Sequence, residues 1–420
     1  MTLAGPLPTP PAPRPHVGRE RLAPAPGAGG GTRAVRGGAR PSWADGVSNG
    51  FFAARDRLYA SATFQRWAAR VPGVRAIARG RSRAVFDLVA GFAYTQTVAA
   101  AVQCGLLSLV AAGPLPEAEL LARLELPAAG ARRLLAAAAA LRLVERRRGG
   151  RWGLGTTGGP LLASPGLAQL VEHNALLYED LRDPLALLRQ EGDGDDAGFG
   201  ALAAYWPYTS RARRARLGAA DVAGYSALMS GTVAPVAGEL LDAVPLGSRR
   251  HLLDVGGGEG NFAIAAARRH PRLACTLFDL APVAARARRH VAEAGLEERV
   301  RVVGGDFQRD PLPEGADVAT LVRVCLDHDD ATVRALLGRV RDALAPGGLL
   351  VIAEPLAGVR GAEAVGDVYF SYYLRAMGRG RARRADEFRV LLEDAGFRRV
   401  RVRPTRYPVV AGVVTAEVPR

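Results

Sequence analysis

His251–Phe262 reads HLLDVGGGEGNF, with Asp254 set between Leu253 and Val255 and glycines at 256, 257, 258 and 260. An apolar run that ends in a carboxylate and then in glycines predicts a buried strand stopping at a polar edge. The glycines allow the chain to reverse and approach a ligand where a Cβ would intrude. Residues 261–269, NFAIAAARR, follow as a helix whose first N–H groups have no partner within it. The spacing is D-x-G-x-G-x-G, so the third glycine comes one place earlier than in the G-x-G-x-x-G dinucleotide fingerprint. There that glycine closes helix against sheet around a pyrophosphate.

Working outward, the same texture recurs. LACTLFDL (273–280), VRVVGGD (300–306), DVATLVRV (317–324) and GGLLVIAEP (347–355) read as further strands. Helices are predicted over 283–294, 331–344 and 385–395, and the closing RRVRVRPTRYPVVAGVVTAEV (398–418) reads as two extended runs. Apolar strands alternating with helices predict an α/β domain with a mostly parallel, seven-stranded sheet covered on both faces; the last pair suggests an antiparallel edge. Asp254, Asp279 and Asp306 end three consecutive strands and so mark the carboxyl edge, where open α/β sheets bind ligands. Asp279 is placed to accept both hydroxyls of a ribose. Asp306 is placed to accept from an adenine amino group, with Phe307 beside the ring. No basic residue accompanies them for a phosphate chain, which favours a neutral or cationic nucleoside cofactor over a nicotinamide dinucleotide.

The 244 residues upstream of this domain differ in composition. The chain has 420 residues, 49% apolar and 23% charged, with 56 basic residues against 41 acidic for a net charge of +15. Every basic residue is arginine, so no single arginine is marked out by its type. Cys104, Cys275 and Cys325 are widely spaced, which excludes a disulfide framework and offers no metal-ligand pattern. The first fifty residues hold nine Pro and ten Gly and read as a disordered tail. Residues 51–160 read as a helical domain: mixed, Arg-rich helices to Arg83, apolar helices after it, and VERRRGGRWGLG (144–155) as a small hairpin that completes a winged-helix shape. The uncharged stretch Leu88–Leu115 is long enough to cross a membrane, but its Thr, Gln and Tyr residues favour a buried or interfacial helix. The helix ahead of the hairpin offers no Asn, Gln or Ser to read a base edge, so the unit is expected to pack rather than bind nucleic acid. Residues 161–244 read as a helical linker with an aromatic cluster, His173, Tyr178, Tyr205, Trp206, Tyr208 and Tyr225, either packing core or the wall of an apolar substrate pocket. Residues 245–420 form the cofactor domain.

DVGGGEGNF, FDLAPV, GGDF, VRVCLDHDD and IAEPL together resemble the class I S-adenosylmethionine-dependent O-methyltransferases of the two-domain kind, with a winged-helix dimerisation domain. GFAYTQTVAAAVQCGLLSLV, HNALLYEDLRDPLALLR and LAAYWPY are similar to the bacterial carotenoid members, which act on a tertiary C-1 hydroxyl. The resemblance implies S-adenosylmethionine as cofactor, no metal, a homodimer and an apolar acceptor. It implies cofactor contacts at Asp254, Gly256 and Gly258, at Asp279 and Leu280, at Asp306 and Phe307, and at Arg323. A carotenoid acceptor further implies a cytoplasmic protein touching the inner membrane peripherally.

In the phenolic members a histidine deprotonates the acceptor from a Cys-His-Asp-Trp pattern. Here the matching residues are Cys325, Leu326, Asp327 and His328, so leucine holds the base position. His328 is the expected general base with Asp327 or Asp329 orienting it, although it also stands where it could cap the next helix, a place for which Asp329 or Asp330 is well suited. Glu354 matches a carboxylate that flanks the catalytic histidine, and the second such position is Ala382. These departures speak against a phenol and for an alcohol, with a phenolic or polyketide acceptor as the alternative and a non-catalytic regulator behind it.

Overall fold

The computed structural model describes residues 43–190, 200–206 and 223–420. Most of the expected tail lies outside them, as do the acidic loop after Gln190, Tyr208 and the side chain of Tyr225. The chain divides into two units, one ending at Leu88 and the other beginning at Val89.

The first unit is helical. Its first helix, Trp43–Ala60, begins inside the segment read as tail, which corrects that boundary. Ala62–Ala68 follows, opened by Ser61, whose hydroxyl accepts from the N–H of Phe64 as an N-cap. The helix Val74–Gln103 begins in this unit and continues past Leu88 for 30 residues in all, so the Arg-rich and apolar segments are one helix and not two. It is long and apolar enough to cross a membrane by length and composition. It is not buried within the chain, since Val85, Phe86, Leu88, Val89 and Phe92 are 62–85% exposed.

In the second unit, strands β1 (Leu115–Pro116), β2 (Val144–Arg146) and β3 (Arg151–Leu154) form a small sheet in the order β1-β3-β2. The β2–β3 hairpin turns through Gly149 and Gly150, both at positive φ. Its helices close a core around Leu106, Leu120, Leu135 and Val144, the winged-helix arrangement expected. The pairing of β1 was not legible from its two residues.

The large sheet contains β4 (His251–Val255), β5 (Ala274–Asp279), β6 (Val300–Gly304), β7 (Ala316–Val322), β8 (Leu344–Glu354), β9 (Arg398–Arg403) and β10 (Gly412–Glu417). Their order is β6-β5-β4-β7-β8-β10-β9. The first five strands are parallel and β10 pairs antiparallel with both β8 and β9. The closing pair is thus not simply an edge, because β10 lies inside and only β9 is outermost. Successive residues face opposite cores: Leu252, Val351 and Val413 pack on one side, Leu253, Leu350 and Val414 on the other. That is why these strands read as unbroken apolar runs rather than alternating ones. The edge strand β9, RRVRVR, carries four arginines, which discourage pairing with another chain. The strand order reverses between β4 and β7, and the crevice opened there at the carboxyl edge is where the site lies.

Candidate active site

The loop after β4 is held open by Gly256, Gly258 and Gly260, all at positive φ (70°, 59° and 88°). A Cβ on Gly256 would come within 2.7 Å of Val324 Cγ2, and one on Gly257 within 2.6 Å of the Asp254 carboxylate. A Cβ on Gly258 would meet no protein atom, for this residue faces the cavity. Asp279, ending β5, accepts from the N–H of Gly258 at 2.8 Å and from that of Leu280 at 2.7 Å. Its carboxylate therefore ties the glycine loop to the next strand. Desolvation pushes it up to about 6, opposed by these two bonds.

Asp254 lies beneath the loop and is fully buried. One oxygen accepts from Thr320 Oγ1 at 2.7 Å; the other, Oδ2, has no partner among the described residues. Burial pushes this carboxyl up to about 7. A buried, unpartnered acceptor at the floor of a cavity calls for a donor from a ligand, and a ligand with a cationic end satisfies it best.

The cavity wall brings together Asp254, Gly256, Gly258, Asp279, Leu280, Asp306, Phe307, Arg323, Asp327 and His328 from the ends of β4, β5, β6 and β7. Asp306 is partly committed to its own turn, where it accepts from the Gln308 N–H at 2.9 Å. Arg323 has a left-handed backbone, φ 57°, unusual for a bulky side chain and a sign of local constraint. Its guanidinium donates to Thr232 Oγ1 at 2.6 Å, so it is anchored to the helix Ala223–Ala243 in the cavity wall.

One expectation needs correction. Glu354 does not line the cavity: at the end of β8 it is fully buried, and its Oε2 accepts from the Leu326 N–H at 3.1 Å. His328 lines the cavity, but its ring stands edge-on to Phe307 with centroids 5.3 Å apart, on the side assigned to adenine. Of the two aspartates suited to cap the following helix, Asp330–Ala343, it is Asp329 that does so, by accepting from the Thr332 N–H. Leu326 packs into an apolar cluster with Trp206, Tyr373 and Met377, of which Trp206 and Met377 also line the cavity. Here the aromatic groups from the two distant segments meet. Tyr373 OH lies 2.8 Å from His173 Nε2 and accepts from Trp206 Nε1 at 3.2 Å, while Tyr369 OH donates to Asn174. Burial lowers His173 to about 4, so it stays neutral.

A residue missed from the sequence is Arg383, fully buried behind the turn Cys325–His328. It donates to the carbonyls of Cys325 and His328, both at 2.6 Å, and pairs with Asp330 at 2.8 Å. Nothing in a chain whose basic residues are all arginine singles it out. No group of metal-ligating side chains is present among the described residues.

A parallel sheet reversing at β4, a glycine loop tied to the aspartate that ends β5 and a buried carboxylate beneath it are the arrangement of a class I S-adenosylmethionine-dependent methyltransferase. Residues 190–398 match the O-methyltransferase domain family and residues 86–164 the O-methyltransferase dimerisation domain. The chain is 42% identical over 366 residues to the demethylspheroidene O-methyltransferase of Cereibacter sphaeroides, covering 86% of this chain and 94% of that one. It is 38% identical to the enzyme of that name from Rhodobacter capsulatus, covering 83% and 85%. Human N-acetylserotonin methyltransferase, solved in complex with S-adenosylmethionine, superposes with a TM-score of 0.66 at 25% identity, covering 81% and 98%. The protein belongs to the S-adenosylmethionine-dependent O-methyltransferases with a dimerisation domain, and S-adenosylmethionine is its cofactor.

Proposed function

We propose that the protein methylates the tertiary C-1 hydroxyl of acyclic carotenoids of the hydroxyneurosporene and demethylspheroidene type, as a step of carotenoid biosynthesis. The observation that carries this reading is Leu326. The position of the phenol-deprotonating histidine is filled by a buried leucine within an apolar and aromatic cluster. The 42% identity to a demethylspheroidene enzyme supports the same acceptor.

S-adenosylmethionine supplies an electrophilic sulfonium methyl. The chain's residues do the rest by positioning, which is the main requirement of an in-line displacement. Asp279 and the glycine loop hold the nucleoside, Asp254 takes the amino group, and the cluster around Leu326 and Trp206 directs the hydroxyl. As the oxygen–methyl bond forms and the methyl–sulfur bond breaks toward sulfur, the hydroxyl proton passes to Asp327. That residue faces the cavity between Leu326, on the acceptor side, and His328, beside Phe307. Desolvation raises the Asp327 carboxyl to about 7 against the pull of Arg323, a value suited to a general base. A tertiary alcohol is too weak an acid for prior ionisation, so proton removal accompanies transfer. Turnover of 1-hydroxy carotenoids in detergent micelles is expected to exceed that of catechols and other phenols. Methylation of phenols alone refutes the carotenoid reading and leaves a phenolic or polyketide acceptor.

The same reading includes a homodimer, supported by the dimerisation-domain match and the exposed apolar stripe Val85–Phe92. Sedimentation equilibrium at micromolar concentration is expected to give twice the chain mass, and a monomer overturns it. Nucleic acid is not a proposed partner: near the hairpin Arg132 and Arg146 pair with Glu117, and Arg147 with Glu145.

The polyene is nearly insoluble, so the proposal places the enzyme in the cytoplasm at the inner membrane surface. Phe51, Trp67 and Ile77 are more than half exposed among arginines, with Arg55 over the Phe52 ring at 4.7 Å, a pattern that suits an anionic lipid surface. Co-flotation with vesicles containing phosphatidylglycerol, and not with neutral vesicles, is expected. Equal recovery in both refutes the electrostatic part.

A further inference from the structure

We infer that Arg383 is the positioning residue that sets the place of Asp327, by clamping the turn Cys325–Asp330 from behind; this rests on the reading of Asp327 as proton acceptor. The turn leaves β7 and carries both side chains that face the cavity, yet it is a single short 3-10 turn, Cys325–Asp327, with little structure of its own. Arg383 donates to Cys325 O, to His328 O and through Nε to Asp330 Oδ1, with Nη2 in ion-pair contact with the same oxygen, so that it spans the turn at both ends with Asp327 in the middle.

Glu354 holds the same turn from the sheet by accepting from Leu326 N. Its carboxyl is pushed up to about 8 by burial, with Arg383 opposing that shift. The turn is therefore pinned between a buried acid on β8 and a buried base on the segment before the last helix, Ala385–Asp394. That segment is fitted to the turn along its length. Gly380 has φ 79°, and a Cβ there would overlap the carbonyl oxygen of Leu326. Arg379 pairs with Asp329 at 3.5 Å and Arg381 with Asp330 at 3.0 Å. In the phenolic enzymes the neighbouring position, here Ala382, is expected to carry a glutamate beside the histidine. A planar guanidinium with five donors can bridge two carbonyls and a carboxylate at once; an ammonium cannot hold all three in fixed geometry.

The test uses the full chain with Arg383→Met and Arg383→Lys. Hydrogen exchange at the amides of residues 326–330 is expected to rise about tenfold or more in Arg383→Met, while the loop 256–260 is unchanged. Affinity for S-adenosylhomocysteine should stay within about threefold and acceptor KM likewise, with kcat falling about thirtyfold or more. Arg383→Lys should recover part of kcat, a split that general destabilisation would not produce. Unchanged exchange in the turn of a folded Arg383→Met, or native kcat despite a loosened turn, overturns the inference. If Arg383→Met does not fold, Asp330→Asn removes the carboxylate that fixes the guanidinium and should give the same pattern, smaller. The exchange measurement needs no acceptor, so it stands if the carotenoid reading fails. An Asp327→Asn enzyme with native kcat would show that the base assignment, and not the clamp, is at fault.

Discussion

Asp327→Asn is expected to lower kcat by about a hundredfold to a thousandfold while leaving the affinity for S-adenosylmethionine within about threefold. The substitution keeps shape and removes only the ability to take a proton. The pH profile carries the sharper prediction. A base works ionised, so kcat/KM of the native enzyme should be level at high pH and fall about tenfold per unit on the acid side. The free carboxyl titrates at about 7, raised by desolvation and pulled back by Arg323. The sulfonium charge favours the carboxylate further, so the midpoint with cofactor bound should lie at or below that value. Asp327→Asn should have no such limb. His328→Ala should keep it, because that ring packs against Phe307. If instead His328→Ala loses the limb and Asp327→Asn retains it, the histidine is the base after all.

Asp279→Ala is expected to weaken S-adenosylmethionine by about a hundredfold or more, read by titration calorimetry. The carboxylate does two things that one substitution removes together. It offers charged acceptors to the ribose hydroxyls, each such bond being worth about 1.5–3 kcal/mol. It also fixes the loop by accepting from the N–H of Gly258. Asp279→Asn should be milder than alanine, because an amide oxygen can still accept. Equal and native affinity in both variants would show that the ribose is held elsewhere.

The sheet and the nucleoside end of the site were legible in the sequence because they are local. Strands β4, β5, β6 and β8 are apolar runs closed by a glycine or an acid, and the acids stand at or beside their strands' ends whatever the rest of the chain does. Asp254, Asp279 and Asp306 were found that way, and the structure brings all three to one cavity. The glycine spacing also separated this loop from a pyrophosphate-binding one without any coordinates. The insertion of β10 between β8 and β9 was not legible, because pairing order depends on which edges meet and not on the composition of either run.

The acceptor side was decided only by tertiary structure. His328 and Asp327 are neighbours in sequence, but the direction of each side chain follows from how the turn is held, and its holders come from residues 354 and 383. The same holds for the aromatic cluster. Nothing local says that His173, Trp206 and Tyr373 share hydrogen bonds across as many as 200 positions. Sequence sets what a strand end can bind, because backbone geometry and side-chain chemistry are local properties. Which groups then converge on a reacting atom is set by packing between distant segments, and a buried arginine such as Arg383 differs from the chain's exposed ones only by where the fold has put it.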